Sequence, residues 1–305
     1  MTDTVVRAVD LRKRYGEVTA ADGITFSVER GEIFGIVGPN GAGKTTTMDC
    51  IVGMRKPDSG GATVLGMDPR REGMRLRQKL GIQQQESELP DRIRVREAME
   101  LFSSFYEKTL DWRGLLDELR LTEKSGSFFS ELSGGQKKRL FVALALVGDP
   151  EIVFLDELTS GLDPQARRSI WDLVRKLRDE GRTVVLSTHY MDEVERLCDR
   201  VAIIDRGRIV ALDAPRGLTA ALGGDLKVRF DVVPGFPVDL LERIDGVDRV
   251  TCDGVSVTVG VSRSRAIVDI VNLLDGNGCS LDGFRTERVT LEDVFLAVTG
   301  REVRS

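Results

Sequence analysis

The chain has 305 residues, about the length of two domains at roughly 150 each. It is 41% hydrophobic and 30% charged with a net charge of -5, an ordinary globular balance that argues against a nucleic-acid binder driven by overall charge. Its four cysteines, Cys50, Cys198, Cys252 and Cys279, form no CxxC, which disfavours zinc and a disulfide framework and fits reduced thiols.

The opening MTDTVVRAVDLRKRYG has no apolar signal core, and the longest apolar run, Leu140 to Val147, is far short of the ~20 residues that cross a bilayer. The chain is therefore expected not to span a membrane by itself, which leaves open that it sits on one through a partner. VVRAVDLRKRY reads as a strand, and ADGITFSVERGEIFGIVG as two strands around a turn at Glu29–Gly31. The glycine-rich GPNGAGKTT follows, then a helix, TTMDCIVGM. The arginine-rich PRREGMRLRQK, Pro69 to Lys79, reads as a solvated helix face rather than a nucleic-acid site, given the acidic balance of the whole. From about 85 to 131, VREAMELFSSFYEK and WRGLLDELRL are helical by period with no strand between them, the pattern of an inserted helical subdomain.

EIVFLDE, TVVLSTH and RVAIIDRGRIVA are continuous apolar strands of the kind covered on both faces. Between the first two lies the amphipathic PQARRSIWDLVRKLRDEG, with Gly181 as its C-terminal stop. Strand–helix alternation of this kind predicts a mostly parallel sheet with helices on both sides. LTAALGG, Leu218 to Gly224, reads as a boundary between a domain at 1–220 and a smaller one at 225–305. In the latter, strand LKVRFDVV, helix VDLLERI, a hairpin turning at Asp253-Gly254, helix SRAIVDIVNLL, a strand near Ser280–Val289 and helix TLEDVFLAV follow in turn. Thr290 and Asp293 supply the last helix with a capping box. The order βαββαβ plus a terminal helix predicts a ferredoxin-like α+β domain.

Five groups carry chemistry. GPNGAGKT, Gly38 to Thr45, is a complete GxxxxGK[ST] between a strand and a helix. Backbone N–H groups from Asn40 to Thr46 should wrap a β-phosphate, Lys44 should reach the β/γ oxygens, and the Thr45 hydroxyl should ligate Mg²⁺. A glycine turn without a ligand is the bland alternative, and the strand–loop–helix context argues against it. Asp156 and Glu157 end the stretch IVFLDE, Ile152 to Glu157, and suit a metal ligand and a base for the attacking water. His189, the single histidine, closes TVVLSTH at the sheet edge where α/β ligands bind, within reach of a γ-phosphate. Tyr15, between basic residues and a glycine, could stack on adenine. A second phosphate cradle, LSGGQKKR at 132–139, precedes the apolar run LFVALALV. One chain with two cradles raises the question of whose phosphate the second one holds.

Taken in order, these pieces resemble the ATP-binding subunits of ABC transporters over roughly residues 5–220. The resemblance rests on Tyr15, the Walker A loop 38–45, a glutamine loop, LSGGQ at 132–136, Walker B at 152–157, SGLD at 160–163 and the switch His189. It implies a P-loop NTPase fold with a helical subdomain at about 86–135. It also implies ATP and Mg²⁺ as cofactors, bound by Tyr15, by Gly38, Pro39, Asn40, Gly41, Ala42, Gly43, Lys44, Thr45 and Thr46, and by Ser133, Gly134, Gly135, Gln136 and Asp163. Thr45, Gln85 and Asp156 would hold the metal; Glu157, His189, Lys44 and Gln85 would carry catalysis.

Two departures stand out: LGIQQQ replaces a proline-glutamine ending, with Gln84 in the proline position, and Leu158 stands where proline is common. The family answers the question of the second cradle with a head-to-tail homodimer, in which the signature of one copy caps the γ-phosphate on the P-loop of the other. Such a unit would work as a peripheral subunit at the cytoplasmic face of the membrane. It would power efflux through a separate integral-membrane permease met by residues of about 86–106. The run from Leu158 to Val210 and the ending TLEDVFLAVTGRE resemble the daunorubicin-resistance exporters that partner ABC-2 permeases and move drug-like or lipid-like cargo. The runner-up is a non-transport ABC ATPase acting on DNA or ribosomes, and a third reading is a regulatory switch without turnover. No nucleic-acid partner is expected.

Overall fold

In the computed structural model, residues 3–85, 87–222, 226–233 and 235–300 are described. Glu86 of the expected helical subdomain, Gly223 and Gly224 of the expected boundary, and Arg301 and Glu302 of the C-terminal ending lie outside the described residues. The chain divides into two compact units between Leu212 and Asp213.

The first unit opens with β1 (Thr4–Tyr15), β2 (Val18–Glu29) and β3 (Ile33–Val37), followed by α1 (Lys44–Ile51), β4 (Ser59–Val64), α2 (Gly73–Arg77) and β5 (Leu80–Gln83). Next come α3 (Val95–Ser103), α4 (Trp112–Glu118) and α5 (Gly134–Leu146), then β6 (Ile152–Asp156), α6 (Pro164–Asp179) and β7 (Thr183–Thr188). The unit closes with α7 (Met191–Leu197), β8 (Arg200–Asp205) and β9 (Arg208–Asp213).

These strands form the mostly parallel sheet expected and, beside it, a second sheet that was not expected. One has the order β5-β6-β7-β3-β8-β9, and its first five strands pair in parallel. The other, β2-β1-β4, is antiparallel. The difference is written in the burial. β3, β6 and β7 are buried at every position, whereas β1 and β2 alternate, burying Val6, Ala8 and Leu11 against Ile24, Phe26 and Val28. A strand with one dry face suits a sheet that covers a core from one side. Phe26 stacks on Phe34 with centroids 4.9 Å apart, joining the two sheets through one apolar layer. α3 and α4 pack on α5, and their described residues contain no strand beyond a single bridge, Arg94 to Phe128. α6 buries Ile170, Trp171, Val174 and Leu177 and stops before Gly181, whose φ is +88°.

The second unit contains α8 (Pro215–Ala220), β10 (Leu226–Asp231), β11 (Val247–Asp253), β12 (Ser256–Val261), α9 (Ser264–Gly276), β13 (Arg285–Arg288) and α10 (Leu291–Thr299). Its antiparallel sheet runs β11-β12-β10-β13. Alternate residues Val228, Phe230, Val257 and Val259 form a core with Ala266, Ile270 and Leu274 of α9. The expected helix VDLLERI is a 3₁₀ segment, Val238–Arg243; only Leu241 in it is buried, too small an apolar face to hold an α-helix. The hairpin turns on Gly254 and Val255, because Asp253 still pairs with Ser256 in the ladder. Thr290 and Asp293 form the capping box that starts α10.

Candidate functional site

Register decides which side chains meet. β7 lies between β3 and β6, with Val37 opposite Thr188 and Asp156 opposite Ser187. The carboxyl ends of three buried strands are thereby level. The glycine loop after β3, Glu157 after β6 and His189 after β7 emerge side by side, as ligands require in open α/β sheets.

The loop must be glycine at two points. A Cβ on Gly38 would lie 2.1 Å from the Ile204 carbonyl, and one on Gly43, at φ +104°, would lie 1.9 Å from the Ala20 carbonyl. Directly after them, Lys44 is buried and its Nζ donates to Gly38 O (2.9 Å) and Pro39 O (3.2 Å). Burial pulls this ammonium below the usual lysine range, against the opposing charges of Glu157 and Asp156. Asp156 accepts from Ser187 Oγ and from the Thr45 hydroxyl; its burial pushes the carboxyl up, and those two bonds pull it back.

Glu157 is the meeting point. Its Oε1 lies 3.3 Å from Lys44 Nζ and 3.4 Å from His189 Nδ1, and its Oε2 accepts from Gln85 Nε2 at 3.1 Å. The residue is 6% exposed and its backbone sits at φ +48°, a left-handed conformation that costs a non-glycine residue on the order of 1 kcal/mol. Its N–H donates to Ser187 O, and its carbonyl accepts from Ser160 N and from Lys138 Nζ (3.1 Å). Of the three consecutive glutamines, Gln85 reaches this carboxylate, while Gln84 Nε2 turns to Met54 Sδ at 3.2 Å. His189 Nδ1 is buried and makes no hydrogen bond among the described residues, which fits a phosphate oxygen as its partner. A lysine, a histidine, the Thr45 hydroxyl and the oxygens of Asp156 and Gln85 suit a nucleotide triphosphate with a hard cation such as Mg²⁺.

The second cradle is separate. Ser133 is exposed and caps α5 in a capping box with Gln136, its N–H donating to Gln136 Oε1 (2.9 Å) and its Oγ accepting from Gln136 N (3.3 Å). Gly134 is exposed beside it, and Gly135 is half-buried. Asp163, also exposed, caps α6 by accepting from Gln165 N and Ala166 N at 2.9 Å each. Tyr15 is 41% exposed, with Lys13 Nζ 5.5 Å and the Arg55 guanidinium 5.7 Å from its ring centroid. Leu158 is buried, and Thr159 next to it donates to Glu193 Oε2 (3.1 Å), which anchors the loop after Glu157.

Three contributors escape the sequence reading: Ser187, Glu193 and Lys138. Ser187 could be found from its place in TVVLSTH once the register with Asp156 is known. Lys138 carries no local signal, being one of two adjacent lysines; only the packing of α5 brings its burial-depressed ammonium to the Glu157 carbonyl. Lys138→Met should keep the aliphatic stem and lose that bond. We expect kcat to fall about tenfold while the KM for ATP stays within about twofold; an unchanged kcat in a steady-state ATPase assay removes Lys138 from the positioning of Glu157.

Beside the glutamine segment lies an apolar groove of about 660 Å³, walled by Met54, Ile82, Phe102, Phe105, Tyr106 and Phe141. Phe105 is 59% exposed there. No described helix is long and apolar enough to cross a membrane.

A family profile described as "ABC transporter" matches residues 21–160. The chain is 39% identical over 303 residues to the Nod factor export ATP-binding protein I of Ralstonia nicotianae, covering 96% of this chain and 93% of that protein. It is 35% identical over 315 residues to a daunorubicin resistance ATP-binding protein of Streptomyces coeruleorubidus, covering 100% and 98%. Among solved structures, the ATP binding subunit of an ABC transporter superposes with a TM-score of 0.66 at 27% identity, covering 72% of this chain and 94% of that one.

Proposed function

Because the chain belongs to the ABC transporter family, as an ATP-binding and ATP-hydrolysing subunit of an exporter, we propose that it works as a head-to-tail homodimer beneath a separate ABC-2 type permease. The observation that carries the catalytic half of this reading is the convergence of Lys44, Gln85 and His189 on the Glu157 carboxylate. In this reading Gly38 to Thr46 cradle the β- and γ-phosphates, and Lys44 exchanges its carbonyl partners for phosphate oxygens. Thr45, Asp156 and Gln85 would hold Mg²⁺, which would supply positive charge to stabilise the transferring phosphoryl group. Glu157 accepts the proton of the attacking water, held in line by Gln85, while His189 donates toward the γ-phosphate. Ser133 to Gln136, exposed at Ser133 and Gly134 and pre-capped at the start of α5, serve the phosphates of the partner copy, with Asp163 near the crossing. Enclosure from both sides excludes water and strengthens every contact to the phosphates. Tyr15, flanked by two cations, stacks on adenine.

Residues 1–220 form the ATPase domain in this reading, and residues 225–305 form an accessory domain that supports or regulates the dimer. The apolar groove beside Gln84 and Gln85 is the docking site for the permease's cytoplasmic helices at the inner membrane face. The cargo class is drug-like or lipid-like; the daunorubicin resistance name of one similar protein supports the former. Phe105→Asp tests the docking: with the permease coexpressed, it should cut the amount of this chain recovered with membranes about tenfold, at unchanged ATPase in solution. Undiminished recovery overturns the groove assignment, and recovery with ribosomes or DNA instead overturns the transport reading.

A further inference from the structure

The arginine-rich stretch Pro69 to Lys79 has no part in the ATP site, yet the fold gathers it into one surface. Arg70, Arg71, Arg75 and Arg77 share a shallow depression of about 640 Å³ with Arg55 and Lys56, which follow α1. Six cations thus line one face of a chain whose net charge is -5. Glu72 is the one acid among the lining residues, and Asp49 and Asp68 stand at the edge. The compensation is partial. Asp49 accepts from Arg55 at 2.6 Å, whereas Asp68 lies 3.7 Å from Arg70 and 3.6 Å from Arg71 and Glu72 lies 3.7 Å from Arg75, all three loose surface pairs. Lys56 and Arg77 have no ion pair among the described residues. The side chains of Arg71 and Arg75 are 85% and 75% exposed. Between them stands Met74, itself 85% exposed, the most exposed of the large apolar residues described.

We infer that this face contacts the anionic headgroups of a bilayer, with Met74 dipping into the interface. The geometry separates this from a site for a single anion. The cations come from two segments, on long projecting side chains, with no buried donor and no fixed fork around one point. Such a diffuse field matches many mobile phosphates, and an apolar side chain set among the cations matches a lipid interface better than a nucleic-acid backbone. The patch also adjoins the apolar groove beside the glutamine segment: Met74 and Arg77 line both. A permease helix in that groove and headgroups on the arginines are then reached from the same side. An anionic membrane repels the acidic chain as a whole and attracts it here, so the patch sets which face turns to the bilayer. This orientation rests on the proposed docking groove; the affinity for headgroups does not.

Flotation of the full chain, without permease, against vesicles of phosphatidylcholine alone or with about 30% phosphatidylglycerol tests the inference. The bound fraction should rise at least tenfold with phosphatidylglycerol and collapse at about 0.5 M salt. Each cation should contribute about fivefold. Arg71→Glu combined with Arg75→Glu should therefore lower binding at least tenfold, and Met74→Ala about threefold, with ATPase unchanged in both. A folding defect in the double variant would show as lost ATPase, in which case Lys56→Gln with Arg70→Gln serves in its place. Equal binding to both vesicle types, binding insensitive to the charge changes, or tighter binding to RNA than to anionic vesicles overturns the inference. Because no permease is present, failure here leaves the groove assignment standing, and failure of the Phe105 experiment leaves this one standing.

Discussion

Glu157→Gln should lower ATP turnover by about 10²–10³-fold, a loss of roughly 3 kcal/mol of transition-state stabilisation, while nucleotide binding persists. Glutamine is the isostere of the ionised side chain, so the contacts to Gln85 and the backbone bonds to Ser187 and Lys138 can survive. What disappears is the acceptor for a proton and the negative partner 3.3 Å from Lys44. Lys44 is then freer to turn toward phosphate. In the proposed head-to-tail dimer, hydrolysis releases two copies holding nucleotide between them, so the variant should accumulate as an ATP-bound dimer. Size exclusion with ATP and Mg²⁺ reads this directly. A variant that remains monomeric under those conditions, or that hydrolyses ATP within about threefold of the parent rate, removes Glu157 from the role of base.

Mixing a Lys44→Ala chain with a Gly135→Asp chain should restore turnover that neither has alone. Each change disables a different half of a composite site. Lys44 is the buried cation of the phosphate loop, whereas Gly135 lies at the start of α5 in the second cradle. A Cβ at Gly135 meets only Leu162 Cδ2 at 3.6 Å and Ala166 Cβ at 4.0 Å, so aspartate fits and acts by placing a negative charge where phosphate oxygens are held. In a head-to-tail dimer of the two variants, one site has both defects and the other has none. Random pairing at equal amounts then yields about a quarter of the parent activity, from homodimers near zero. If the mixture gives only the sum of its parts, the two cradles serve the same chain and the sandwich fails.

The chemistry of the ATP site was legible because its residues are local signals. A strand, GPNGAGKT and a helix are contiguous; IVFLDE and TVVLSTH each end an unbroken apolar run; the capping box at Thr290 spans four residues. The division of β1, β2 and β4 into a separate sheet was also present, as alternation in the first two, but pairing is a long-range choice that a period alone does not make. The 3₁₀ segment at 238–243 shows the converse limit: the helical pattern is there, and burial of a single leucine does not sustain it.

The sequence by itself determined the family, the phosphate loop, the acid pair and the existence of a second cradle, because each is fixed by residue identity at short spacing. Only the tertiary structure decided that Gln85, rather than its neighbours, reaches Glu157, and that Lys138 holds the Glu157 carbonyl. It alone gathered arginines from two separate segments onto one face. The reason is geometric: hydrogen bonds of about 3 Å and charge fields within a Debye length are set by which elements pack together, and chain separation does not encode that distance.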